Sequence, residues 1–122
     1  MSISQNLKVN GAIIVSTPQD IALLDARRAI EMFKKVNVKI LGLVQNMSSF
    51  SCSNCGHVDH IFGEGGAKKL ASQVDCDYLG DVVLNTEIRR SSDAGEPISI
   101  LNESHPGSIA YKSICEKIIA NY

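Results

Sequence analysis

Two cysteines separated by two residues stand out as chemically capable side chains. They are Cys52 and Cys55, in the run Phe50-Ser-Cys-Ser-Asn-Cys-Gly56-His57. A C-x-x-C turn can aim two thiolates at one metal, and a following glycine eases the tight backbone. A closed structural zinc site needs four ligands, usually from two such pairs, and no second pair occurs. His57 and His60 are close in sequence, but Cys55-x-His57 is far too short for a finger with its intervening strand and helix. Both histidines read as polar loop residues. A thioredoxin-type redox pair needs a helix beginning at the cysteines to lower a thiol pKa. Gly56-His-Val-Asp-His60 carries no helical pattern, so that requirement is unmet. A further reading is half a site, with two thiolates from each of two chains meeting at one centre. Four thiolates suit a [4Fe–4S] cluster and tetrahedral zinc alike, and spacing does not choose between them.

Other motifs carry less. Cys76 lies at a helix-to-strand connection, and Cys115 falls in an apolar stripe where a free cysteine acts as a small hydrophobe; both read as structural. Gly63-Glu-Gly-Gly-Ala-Lys-Lys69 has the look of a phosphate loop. It lacks the Gly-Lys-Ser/Thr of the P-loop, which occurs nowhere in the chain, so it reads as a flexible start to a helix. There is no G-x-S-x-G nucleophile motif. With 12 Lys+Arg against 13 Asp+Glu the net charge is −1, which argues against a nucleic-acid binder that must neutralise phosphates. No Trp is present and aromatics are 5%, too few for a base-stacking platform. No apolar run approaches a bilayer span. The first residues carry neither a signal-peptide core nor an Arg-rich transit pattern.

The elements that must position the cysteines follow from the apolar pattern. Gly11–Ser16, Lys39–Gln45 and the shorter Tyr78–Val82 are continuous apolar runs, expected to be strands buried on both faces of a parallel sheet. Between the first two, Thr17 as N-cap, Pro18 in the first turn and Asp20 as capping partner predict a helix whose face is Leu23, Ala26, Ile30 and Phe33. Further helices are predicted from about Gly65 through Val74, near Thr86–Ser92 and after Pro106. The last has an apolar stripe of Ile109, Tyr111, Ile114, Cys115, Ile118 and Ile119. Alternating strands and helices give right-handed βαβ crossovers and an α/β fold, a parallel sheet with flanking helices. The 122 residues suffice for one domain. Gly11–Ser16 reads as a central strand with little before it, so the expectation is either that the chain oligomerises through that edge or that residues which once preceded it are missing.

Several motifs then coincide with a known family in order and spacing. They are Val15-Ser-Thr-Pro-Gln-Asp20, Leu41-Gly-Leu-Val-Gln-Asn-Met47, Cys52-Ser-Asn-Cys55, Ile61-Phe-Gly-Glu-Gly-Gly66 and Leu79-Gly-Asp-Val82, with Ile88-Arg-Arg and Gly95-Glu-Pro97 following. From about Leu7 onward the chain resembles the C-terminal half of an Mrp/NUBP-type iron–sulfur carrier ATPase, most of all the mitochondrial branch that assembles respiratory complex I. The resemblance implies a MinD-like P-loop NTPase fold, here residues 1–122 as one partial domain with the C-x-x-C loop at 46–62. It implies a homodimer bridged by a [4Fe–4S] cluster on Cys52 and Cys55, with transfer to apoproteins. It places Asn46 at the position that contacts the nucleotide base, where an amide can both donate and accept. The family's Walker A loop, its Mg²⁺- and water-positioning aspartates and its switch segment lie before the Thr-Pro-Gln strand, so these residues alone are expected to hydrolyse no ATP. The resemblance implies a mitochondrial matrix location, with the cytoplasm as alternative. The competing reading of the same cysteines is a non-catalytic, zinc-bridged dimeric interaction module.

Overall fold

The computed structural model describes residues 9–52 and 54–121. Aliphatic and β-branched runs form the strands β1 (Ala12–Ser16), β2 (Ile40–Gln45) and, later, β5 (Tyr78–Asp81). Two very short strands, β3 (Phe50–Ser51) and β4 (Val58–Asp59), lie between. The helices are α1 (Asp20–Lys35), α2 (Gly66–Gln73), α3 (Thr86–Asp93), α4 (Ile98–Leu101) and α5 (Pro106–Asn121). Strands β1, β2 and β5 make one parallel sheet in that spatial order, as the apolar runs predict. Strands β3 and β4 pair antiparallel as a separate hairpin.

Helices cover the sheet unequally. On one face Ile14 and Leu43 pack under Ala26 and Ile30 of α1 and Ala67, Leu70 and Ala71 of α2. On the other, Val44, Leu79 and Val82 pack under Ile114 of α5. Strand β2, hydrogen-bonded on both edges, holds the centre, and its Leu43 is completely buried.

Three expectations need correction. Strand β1 is buried on one face only: Ile14 and Ser16 are covered on the α1 side, but Ile13 and Val15 are 40% and 60% exposed, and among the described residues no strand pairs along the outer edge. Thr17 does not cap α1. The helix begins two residues later, its N-cap position is Gln19 with no side-chain cap, and the Thr17 hydroxyl turns to Gln19 Oε1 at 3.1 Å. Pro18 is held instead against the loop before α2. An added Cβ on Gly66 would lie 2.9 Å from the Pro18 carbonyl oxygen and 2.6 Å from Leu23 Cδ1. Finally, the α5 stripe is not a buried one. Ile114 is buried and Ile118 half-buried, but Ile109, Tyr111, Cys115 and Ile119 are exposed, since α5 packs against β5 and α4 along only part of its circumference.

The ends of the later helices are well determined. Asn85 caps α3, its Oδ1 accepting from the Glu87 and Ile88 amides at 2.8 and 3.3 Å, and Gly95 in the left-handed region closes it. Buried His105 caps α5: its Nδ1 accepts from the Gly107 amide at 3.0 Å, which puts the proton on Nε2, 3.3 Å from Glu87 Oε2.

The Pro18–Gly66 approach is testable. Gly66→Ala forces a methyl onto a backbone carbonyl and a packed leucine, so it should cost about 1–3 kcal/mol and lower the thermal midpoint by several degrees. Gly56→Ala, where an added Cβ meets nothing within 4 Å, gives a comparison for left-handed strain without a clash.

Candidate metal centre

Parallel strands deliver their C-terminal ends to one rim of the sheet, where α/β folds place ligands. Everything of chemical interest after β2 is built on that rim. Gln45 is buried, and its Oε1 accepts from the Ala67 amide at 3.1 Å, satisfying a donor at the start of α2 that Gly65, lacking a side chain, cannot cap. The glycine-rich run before α2 therefore works as a packed corner, with one of its helix-start amides already occupied. Asn46 donates its backbone amide to Ser16 O at 2.7 Å, and its Oδ1 accepts from Met47 N at 2.9 Å, stabilising a left-handed turn at Met47. The Asn46 side chain also lines an apolar cavity of about 270 Å³ with Val15, Val44, Val82, Tyr111 and Ile114.

The next residues launch the cysteine hairpin. Ser48 is buried, and both its amide and its hydroxyl donate to Val82 O, at 3.1 and 3.3 Å. Leu84 N donates to Ser49 O at 2.8 Å, and Phe50 bridges to Leu84 in parallel fashion. The outbound limb is thus an extension of the sheet. At the tip, Cys52 N donates to His57 O and Gly56 N to Cys52 O, each at 2.8 Å, and Gly56 takes a left-handed φ of 71°. Cys52 is half-buried and Cys55 exposed. The Cys52 thiol titrates below the ordinary thiol range, chiefly because the Cys55 backbone amide donates to it, then the Asn54 amide and the Cys55 side chain. Such a nest of amides favours thiolate, the metal-binding form.

Among the described residues, no group of three or more His, Cys, Asp or Glu converges as a metal site. Among the described residues one chain therefore presents two cysteines and no further converging ligand. His57 is exposed at the tip. His60 is more than loop polarity: its Nδ1 lies 3.2 Å from Ser48 O and its Nε2 3.8 Å from Glu64 Oε1. Cys76 sits at the opposite rim of the sheet, half-buried against the core under α1. Burial pushes its thiol up, with Lys34 opposing. Cys115 is on the open side of α5. Gln45 and Ser48 escaped the sequence reading, because nothing local distinguishes a strand-end glutamine or a loop serine whose partners lie tens of residues away.

In the reduced, metal-free chain, alkylation at Cys52 should follow a pH profile whose midpoint lies below that of the same segment as an unfolded peptide. The sign follows from the lowered pKa: thiolate persists to lower pH in the folded chain. Cys55→Ala keeps the backbone donors, so the midpoint should remain below the peptide's. Mass-spectrometric alkylation kinetics measure both, and coincident midpoints would dismiss the nest.

Comparison with known proteins shows the family and the fold. The model of the ParA-group family described as the NUBPL iron-transfer P-loop NTPases matches residues 1–119. A Mus musculus protein named iron-sulfur cluster transfer protein NUBPL is 52% identical over 119 residues, covering 98% of this chain and 37% of that protein. An Arabidopsis thaliana iron-sulfur protein required for NADH dehydrogenase, mitochondrial, is 48% identical over 122 residues, 98% of this chain and 38% of its own length. The chain thus spans less than two fifths of the length of these curated relatives. Among solved structures, a nucleotide-binding protein from Archaeoglobus fulgidus in complex with ADP is 33% identical, with a TM-score of 0.69 over 88% of this chain and 43% of that one. The cell division ATPase MinD of Pyrococcus furiosus, at 21% identity and a TM-score of 0.73 over 93% of this chain and 44% of its own, shares the fold. Matched almost end to end, with the cysteine hairpin inside the matched residues, this chain belongs to the NUBPL-type iron-transfer P-loop NTPases.

Proposed function

We propose that this chain is the cluster-holding portion of an iron–sulfur carrier, with Cys52 and Cys55 from each of two copies binding one [4Fe–4S] cluster as cargo for apoproteins. The observation that carries it is the ligand count. Two cysteines stand at the tip of an anchored hairpin, Cys52 in an amide nest that favours its thiolate, with no third ligand converging among the described residues. A second copy completes the four-thiolate set. The names of the mouse and Arabidopsis relatives support cluster transfer and a mitochondrial setting, with respiratory complex I among the recipients. Bacterial relatives bear the name iron-sulfur cluster carrier protein, which supports the carrier function outside mitochondria as well.

Residues 1–122 read as a single, C-terminal portion of the MinD-like fold. Asn46 is the residue we assign to a nucleotide base. It lines a largely apolar cavity, and the ADP-bound neighbour supports a nucleotide in this fold. Phosphoryl transfer needs a phosphate-cradling loop and metal-positioning carboxylates. No Walker A pattern occurs in the sequence, so nucleotide turnover is assigned to residues outside these 122.

Anaerobic reconstitution with iron and sulfide should yield a brown dimer with about two irons per chain. Cys52→Ala and Cys55→Ala should each abolish the charge-transfer absorbance and leave the far-UV spectrum unchanged. Tight, colourless zinc binding without iron uptake would favour the zinc-bridged module. The purified chain alone should release phosphate from ATP only at the background rate, and clear turnover would contradict the assignment of catalysis elsewhere.

A further inference from the structure

The cysteine hairpin is too small to hold itself. Its strands β3 and β4 are two residues each, and an isolated hairpin is marginal even when longer. Its outbound limb is tied down by backbone pairing, through Ser48 to Val82 and through Ser49 and Phe50 to Leu84. The return limb, residues 57–60, has no such pairing to the sheet among the described residues. One side chain reaches back from it: the His60 imidazole, to the carbonyl of Ser48. That carbonyl belongs to the residue whose amide and hydroxyl both hold Val82 O.

We infer that His60 is a positioning residue for the metal centre, a latch that fastens the return limb of the Cys52/Cys55 hairpin to the buried Ser48 anchor. A carbonyl oxygen only accepts, so Nδ1 carries the proton and donates across 3.2 Å. The bond closes the loop at its base. The two cysteines then hang from two fixed points, not from one limb. The Glu64 contact, at 3.8 Å from a carboxylate that is 77% exposed, adds little by comparison. Outer groups that orient ligands commonly govern how firmly a metal is retained, without touching it. His60 has that relation to a pair of ligands at the end of a short lever.

Two readouts test this, and only the second rests on the iron–sulfur reading. In the metal-free chain, amide hydrogen exchange is followed at Cys52 and Gly56, which bond within the tip, with Leu84, on the outbound anchor, as reference. His60→Ala should speed exchange at Cys52 and Gly56 about five-fold, the scale of one net hydrogen bond, and leave Leu84 unchanged. His60→Asn places an amide donor where Nδ1 stood and should restore protection. His60→Phe keeps a ring without the donor and should behave like alanine. In the reconstituted protein, His60→Ala should lose its cluster to a chelator several-fold faster than wild type, with Asn again restoring retention. Unchanged tip exchange in His60→Ala, or equal protection by Phe and Asn, overturns the latch. If exchange responds as expected but the wild-type chain never loads a cluster, the latch stands and the iron–sulfur proposal falls.

Discussion

The C-terminal end of β2 is the point on which the rest of the structure depends. A central parallel strand has no slack: it is hydrogen-bonded on both edges and packed on both faces, with Leu43 wholly buried. Whatever leaves its end inherits that rigidity. Within four residues Gln45 fixes the start of α2, Asn46 ties to Ser16, and Ser48 ties to Val82. Three consecutive tethers, each to a different element, convert the end of a strand into a platform. The cysteine hairpin is exposed at its tip, yet it rises from a strand end tethered to the elements around it.

On the proposed function, this arrangement reconciles two demands on a carrier. The ligands must be reachable by a second chain and by an acceptor, which requires exposure. They must also be held closely enough to bind metal, which requires order. Here exposure is confined to the tip, while order enters through backbone bonds at the base. The thiolate character of Cys52 comes from amides of the turn itself, so it needs no charged neighbour that an approaching partner would have to displace.

Much of this was legible beforehand, for physical reasons. The three apolar runs read as strands, their alternation with helical patterns implied parallel order, and the C-x-x-C spacing marked a candidate metal pair without choosing the metal. Other features were hidden because they depend on distant partners. The cap expected at Thr17 yields to the packing of Pro18 against Gly66, a contact across most of the chain's first half. The hairpin strands are too short for any alternation to show. His60 looked like ordinary loop polarity because its partner is a backbone carbonyl, which leaves no mark in the side-chain pattern. The α5 stripe was a fair inference of amphipathicity, but a pattern states only that a surface is apolar, and not whether anything lies against it. Strand β1 illustrates the same limit.

Among the described residues no strand pairs with the outer edge of β1, and this bears on symmetry. Alternation along a parallel strand turns the amides and carbonyls of Ile13 and Val15 outward, away from the ladder that uses Ala12 N and Ser16 O. Two copies joined along that edge by a twofold axis would run antiparallel. Their sheets would fuse into one six-stranded ribbon, with the cysteine hairpins at opposite ends. A dimer that shares a cluster needs its axis at the tip of the hairpin instead. The two modes of self-association are therefore geometrically exclusive within one pair, and using both would string copies into an open chain in place of a closed dimer.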